Sequence, residues 1–212
     1  MIYKVLLNVF SFFIFLTCAA QTDTVLVKTT YGSFKVVLYD FTPNHRALLK
    51  KNIQDGTYKN AEFNRVIADF VVQGGELDEA ILTKEAEDPD KLPERLAPEF
   101  DDRAFHKVGA LGAGHDGNLT KSSFLNQIYF VVGKKVSVND LKVLEEKKGI
   151  KYTNEQRQLY LEQGGQPRLD KDYTVFGEVI EGLDVLMKIS KSTTDGEDKP
   201  LNKVLFTMEL LN

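Results

Sequence analysis

The chain has 212 residues, with 27 Lys plus Arg against 31 Asp plus Glu, a formal net charge of −4 and one cysteine. That length suits one ordinary domain, and 42 % apolar with 27 % charged residues is the composition of a soluble globular fold, which excludes disorder, a collagen-like chain and a polytopic membrane protein. The mild acidity leaves no broad basic surface for neutralising phosphates, so nucleic acid is not an expected partner.

Residues 1–20 hold Lys4, an apolar run over 5–16, and Thr17-Cys18-Ala19-Ala20 before the polar Gln21. This is the layout of a secretory signal, because the apolar run falls short of the roughly 18 residues needed to span a bilayer. Cleavage after Ala20 exports a thiol-free domain, residues 21–212, to the periplasm or beyond. A second reading makes Cys18 the acylated first residue of a membrane-anchored lipoprotein, although Thr17 occupies the place where a small residue normally precedes that cysteine. On either reading the membrane is met only through a lipid anchor at Cys18.

Residues 25–29 and 34–39 are β-rich and joined by Thr30-Tyr31-Gly32-Ser33, which predicts a hairpin. Thr42-Pro43 offers an N-cap with proline at the first helical position, and Ala47, Leu48, Leu49 and Ile53 give that helix a partial apolar face as far as Gly56. Residues 63–67 and 70–73 are short strand candidates before Gly74-Gly75. Residues 76–104 are acidic, contain Pro89, Pro93 and Pro98, and lack clean periodicity, so they read as a long surface excursion.

Residues 108–111 and 128–132 read as buried strands. Ser137-Val-Asn-Asp140 and Thr153-Asn-Glu-Gln156 both match the capping-box pattern, predicting two short helices that end near Gly149 and Gly164-Gly165, a helical insertion over 137–165. Residues 174–179 resume strand character, 183–189 suggest a second packed helix, and 204–211 alternate with a period of two. Many short strands, two main helices and no βαβ alternation point to a mainly β fold, a closed or nearly closed antiparallel barrel.

Familiar chemistries fail on spacing. Gly112 and Gly117 have the glycine spacing of a phosphate loop, but Asn118-Leu119 replaces the Lys-Ser/Thr pair that grips phosphate. His45, His106 and His115 lack metal-pair spacing and read as surface or loop residues, no nucleophile elbow is present, and no metal or cofactor is expected. Asn118-Leu-Thr120 forms a glycosylation sequon that reads as a chance match. What remains is Phe63-Asn-Arg-Val-Ile-Ala-Asp-Phe-Val-Val-Gln-Gly-Gly75. On residues alone it has two readings: a half-buried strand with Arg65 and Gln73 as edge polar groups, or a bent pair of strands projecting Arg65, Phe70 and Gln73 together.

That segment resembles the signature of the cyclophilins, in which Phe-His-Arg-Val-Ile is followed by Phe-Met and Gln-Gly-Gly. Thr42-Pro43 resembles the start of the family's first helix, Gln127-Ile-Tyr129 its Gln-Phe-Phe strand, and Tyr173-Thr-Val-Phe-Gly-Glu-Val-Ile-Glu-Gly-Leu-Asp184 the approach to its second helix. The resemblance implies a closed eight-stranded antiparallel barrel capped by two helices, and cis/trans isomerisation of Xaa-Pro bonds in peptides and unfolded exported proteins by a chain acting as a monomer. It makes Arg65 the catalytic arginine and sets Phe70, Val71, Tyr129 and Leu169 around the proline ring. Gln73, Gly114, His115 and Gln127 would hold the peptide, with Tyr173 in place of a pocket histidine. Asn64, Asp69, His115, Arg168 and Tyr173 depart from the family pattern, and the first four motivate the alternative of a non-catalytic proline-peptide-binding chaperone or scaffold module. Arg168 stands where many members carry a tryptophan that contributes to cyclosporin binding, which implies weak inhibition.

Overall fold

The structure, a computed structural model, describes residues 23–211. Residues 1–20, read as a signal, and Cys18 within them lie outside the described residues. Among the described residues no helix is long and apolar enough to cross a membrane.

The predicted hairpin forms from β1 (Thr24–Thr29) and β2 (Gly32–Leu38), which pair so that Val27 faces Phe34 and Val25 faces Val36. Alternation sends Val25, Val27, Phe34, Val36 and Leu38 into the core. β9 (Val204–Leu211) runs antiparallel to β1 on its other edge and adds Val204, Phe206 and Met208.

Among the described residues the strands follow the order β3 (Ala61–Phe63), β9, β1, β2, β8 (Val175–Glu181), β6 (Ala110–Ala113), β7 (Ile128–Val131), β5 (Val71–Gly74), β4 (Arg65–Ile67), all paired antiparallel. Its two ends, β3 (Ala61–Phe63) and β4 (Arg65–Ile67), are successive halves of one run broken at Asn64. The backbone through Asn64 therefore brings the two edges together, and nine strands make a nearly closed barrel that matches the expected eight once the halves are taken as one. Asn64 Nδ2 donates to the Gly75 carbonyl at 2.6 Å across this seam.

Three further strands, β5 (Val71–Gly74), β6 (Ala110–Ala113) and β7 (Ile128–Val131), are buried along their whole length. Their period of two sorts residues between two apolar layers. Val72, Leu111, Ala113, Ile128 and Phe130 join the barrel core, whereas Val71, Ala110, Tyr129 and Val131 join a second cluster with Leu169 and Val175 on the outer face. Inside, Phe63 stacks on Phe206 at 4.2 Å, and Phe34 meets Phe130 edge-on at 5.2 Å.

Helix α1 (Pro43–Gln54) buries His45, Leu49 and Asn52, one face at helical spacing. Thr42 is its N-cap as predicted, but its side chain makes no capping bond. The Glu99 carboxylate does that work instead, accepting from the Asn44 N–H at 3.0 Å and the His45 N–H at 2.9 Å. The second core helix, numbered α5 in chain order (Leu183–Ile189), follows β8 (Val175–Glu181) and presses Val185, Leu186 and Ile189 into the same core.

The excursion over 76–104 contains a helix that the absence of periodicity concealed, α2 (Asp78–Glu87), none of whose residues is buried. Over 137–165 two helices form at the predicted capping boxes: α3 (Val138–Lys148) and α4 (Asn154–Gln163) each begin with a complete box, on Ser137 and Thr153. Gly149 closes α3 in the left-handed conformation. The reading of the histidines as surface or loop residues is corrected for His45, which is buried in α1, while His106 lies in a loop as read but is buried there. Each shares its imidazole with a carboxylate, Glu99 and Asp170 respectively, and this pairing makes burial tolerable.

Candidate active site

Strand register builds the site before any side chain is placed. Arg65 lies opposite Gln73, Gln73 opposite Tyr129, and Tyr129 opposite Gly112, so four strands contribute one row across the outer face. Between β4 and β5 the chain bends at Asp69, which takes a left-handed φ of 57° that aspartate tolerates better than most residues. The bend is closed by the Phe70 N–H on the Ile67 carbonyl at 3.1 Å, and it brings Phe70 onto the same side as Arg65 and Gln73. This is the second of the two readings of the 63–75 segment.

A cavity of about 110 Å³ opens there, lined by Arg65, Phe70, Val71, Gln73, Gly114, His115, Gln127, Tyr129, Leu169 and Tyr173 together with Asp78. Every residue named from the sequence is present. Asp78 is the one that sequence reasoning missed, because it lies in the first turn of a helix with no periodic signal. Its Oδ1 accepts from Gln127 Nε2 at 2.5 Å, and the Glu76 carbonyl accepts from the same nitrogen at 3.0 Å. The excursion thus fixes the amide of Gln127, whose own backbone carbonyl takes the Gly114 N–H at 3.1 Å.

The apolar floor is Val71, Tyr129 and Leu169, with Phe70 and Tyr173 packed against them. Arg168, in the place of the family's tryptophan, lays its guanidinium 4.4 Å from the Phe70 ring centre, a cation–π contact at the rim. On the opposite wall His115 stacks on Tyr173 at 4.0 Å, and its Nε2 donates to the Asp172 carbonyl at 2.9 Å. Burial first, then the charges of Asp172 and Asp78, push the Tyr173 phenol upward, so it stays neutral at physiological pH.

Arg65 is the cation of the cavity. Its side chain is 37 % exposed, and its Nε stands 3.6 Å from Asp198 Oδ2. Asp198 is held by its own turn, where its carbonyl accepts the Val66 N–H at 2.8 Å and Asp195 Oδ1 takes the N–H groups of Glu197 and Lys199, each at 2.9 Å. No hydrogen bond joins Gln73 to Arg65 among the described residues, so Asp198 rather than Gln73 is the group that meets the guanidinium. Nothing local in the sequence connects positions so far apart. Among the described residues, no cluster of three His, Cys, Asp or Glu has the arrangement of a metal site.

The cyclophilin-type peptidyl-prolyl cis-trans isomerase family model matches residues 24–208. A protein of Staphylococcus saprophyticus named "Putative peptidyl-prolyl cis-trans isomerase" is 32 % identical over 182 residues, covering 85 % of this chain and 87 % of its own length. A Staphylococcus aureus protein of the same name is 30 % identical with the same coverage. Among solved structures, a Cryptosporidium parvum cyclophilin-type isomerase superposes with a TM-score of 0.63 at 18 % identity, covering 90 % of this chain and 98 % of its own. A Hirschia baltica cyclophilin gives 0.57 at 17 % identity, covering 88 % of this chain and 73 % of its own. Those two likenesses establish the fold, and the family match over nearly the whole described chain establishes the rest: the chain belongs to the cyclophilin-type peptidyl-prolyl cis-trans isomerases.

Proposed function

We propose that this cavity turns over Xaa-Pro bonds with Arg65 as the catalytic group, on newly exported chains. The observation that carries the reading is a cavity lined both by the apolar floor of Val71, Tyr129 and Leu169 and by the Arg65 guanidinium. Rotation about a prolyl bond breaks amide resonance against a barrier of about 18–20 kcal/mol, and as the bond twists the prolyl nitrogen recovers its lone pair. A donor aimed at that nitrogen stabilises the twisted form more than the planar one, which is the requirement for catalysis. Arg65 supplies such a donor through the planar fork of N–H groups on its guanidinium.

The proline ring sits on Phe70, Val71, Tyr129 and Leu169, which displace water and strengthen the field of the guanidinium. Gln73, Gly114, His115 and Gln127 hold the flanking peptide, and Tyr173 closes the wall. Asp198 orients Arg65 from outside the cavity without occupying the floor. A related cyclophilin-type isomerase of Cryptosporidium parvum has been crystallised in the presence of the dipeptide Ala-Pro, a ligand of the size this cavity suits. Export rests on residues 1–20 alone, and mass spectrometry of the mature N-terminus distinguishes cleavage after Ala20 from acylation at Cys18. Outside the cytoplasm, prolyl isomerisation taking about 10–100 s is slow enough to limit refolding of translocated chains.

The test is Arg65→Ala in a coupled Xaa-Pro peptide assay. The expected result is a fall in isomerisation of about tenfold or more, or at least about 1.4 kcal/mol of transition-state stabilisation, with the fold retained because Arg65 is part-exposed. Turnover equal to the unsubstituted chain removes Arg65 from the mechanism. Peptide binding without turnover in the unsubstituted chain establishes the binding-module alternative.

A further inference from the structure

The wall of the cavity is tied to the helical insertion through a buried polar chain. Tyr129 carries a hydroxyl where the resembling motif has phenylalanine, and that hydroxyl lies 2.7 Å from His106 Nε2. The ring is seated directly over Gly112, where any Cβ would collide with the phenol carbon and oxygen. On the far side of the imidazole, His106 Nδ1 meets Asp170 Oδ1 at 2.7 Å, and the His106 backbone N–H donates to the same oxygen at 2.8 Å. Asp170 Oδ2 accepts from two hydroxyls of the insertion, Tyr152 at 2.8 Å and Tyr160 at 2.6 Å.

Asp170 is the acceptor of the chain. Burial keeps the proton on Tyr129, Tyr152 and Tyr160 by pushing each phenol upward. Tyr152 and Tyr160 donate to Oδ2, the ring Nδ1–H and the backbone N–H of His106 donate to Oδ1, and Nε2 shares a hydrogen bond with the Tyr129 hydroxyl, so both Asp170 oxygens are filled. Tyr129, His106, Asp170 and Tyr160 are each no more than 4 % exposed, so water cannot replace any link. A second strap runs beside the first: Lys148, at the end of α3, donates to the carbonyls of Arg168 at 2.6 Å and Asp170 at 2.7 Å. It holds the segment from which Leu169 and Tyr173 enter the cavity.

We propose that the α3–α4 insertion positions the wall of the prolyl pocket, with Tyr152 and Tyr160 fixing Asp170, Asp170 fixing His106, and His106 fixing the Tyr129 ring. These four are positioning residues; Tyr129 alone among the five touches the substrate. The proposal rests on the isomerase reading and assigns the insertion a role in that same site. Because the wall contacts the proline ring before and during rotation, slackening it weakens ground state and transition state together and is read in KM rather than kcat.

The experiment is a double-mutant cycle on peptide isomerisation. The insertion side is cut by Tyr152→Phe with Tyr160→Phe, the pocket side by Tyr129→Phe, and the two cuts are then combined. The expected result is a fall in kcat/KM of about fivefold on cutting the insertion side alone, carried by KM, and a change under about twofold when Tyr129 is already phenylalanine; the ratio of the two effects, about 2.5- to fivefold, corresponds to about 0.5–1 kcal/mol of coupling. An equal fall in both backgrounds, or none in either, overturns the proposal and leaves the hydroxyls with a purely structural role. If the paired substitution melts below the assay temperature, Tyr160→Phe alone enters the same cycle. Absence of turnover in the unsubstituted chain breaks the isomerase reading instead. The cycle is then measured as the affinity of a Xaa-Pro peptide, with the same two outcomes deciding it.

Discussion

The two long departures from the barrel, residues 76–104 and 137–165, are held by opposite physics. The insertion has a core of its own: Phe105, Val136, Leu141, Tyr152 and Tyr160 form a separate buried cluster, with Phe105 and Tyr160 edge-on at 5.3 Å. The excursion is held largely by charges. Lys84 pairs with Glu76, and Arg95 pairs with Glu85 and, at 3.1 Å, with Asp116, while α2 itself buries nothing. Both reach the cavity, the insertion through Asp170 and His106, the excursion through Asp78. Apolar burial fixes a wall, whereas ion pairs place a charge that solvent conditions can move.

The largest difference should be in stability. Leu141→Ala removes a fully buried side chain from the insertion and should cost about 2–5 kcal/mol in denaturant unfolding. Leu82→Ala, on an exposed position of α2, should stay within about 0.5 kcal/mol of the unsubstituted chain. Equal effects would mean that the excursion is as firmly packed as the insertion, and the contrast would fail.

The same contrast explains what could be read from the sequence. The capping boxes of α3 and α4 are local signals, since each satisfies orphan N–H groups within four residues, and they were legible for that reason. The alternation in β9 was legible because that strand buries one face and leaves the other exposed or half-buried. The strands β5, β6 and β7 lie between two apolar layers, so their sequences announce burial without saying which side chains face the site. Arg65, Phe70 and Gln73 stood out on the residues of the 63–75 segment, the other seven cavity residues came from resemblance, and the register then showed why they converge. Asp78 escaped because a polar helix with no buried face has no apolar period. Asp198 and Asp170 escaped because their partners, Arg65 and His106, are distant in the chain, the second pair by 64 residues. Glu99 as the cap of α1 is a further case: Thr42 carried the local signal, and a residue 54 positions beyond His45 made the bonds.

Glu99 also qualifies the contrast, because it anchors the end of the excursion to the barrel. Glu99→Ala should cost about 1–2 kcal/mol at neutral pH, the scale of a lost helix cap. Its acid dependence has a definite sign. Burial alone would raise the Glu99 pKa, but the N–H groups of Asn44 and His45 and the His45 ring outweigh it and hold it below the ordinary 4.5. Burial chiefly, opposed by Glu99, lowers His45 below its ordinary 6.5. Both folded values are depressed, so the unfolded chain takes up protons first and stability falls with acidification. The loss should begin as pH drops through about 6.5, from His45, and steepen below about 4.5, from Glu99. Thermal melts across that range should show a shallower lower limb in Glu99→Gln, and a lower limb identical to that of the unsubstituted chain would remove Glu99 from the linkage.

The smallest effect concerns α2 and the charge it carries into the cavity. Raising ionic strength from about 0.1 M to 1 M shortens the screening length from roughly 10 Å to 3 Å. Exposed ion pairs contribute only about 0–1 kcal/mol at the outset, so α2 should loosen without unfolding the barrel. Amide exchange over residues 78–87 should accelerate by less than about tenfold, while amides of α3 and α4 stay within error, since apolar burial is not screened. Asp78 travels with α2 and fixes Gln127, so kcat/KM on a neutral Xaa-Pro peptide should drift by about twofold over the same salt range. In Asp78→Asn the salt curve should flatten, because the carboxylate whose field is being screened has gone. A curve of unchanged slope in that variant would locate the salt response elsewhere in the site and detach α2 from the chemistry.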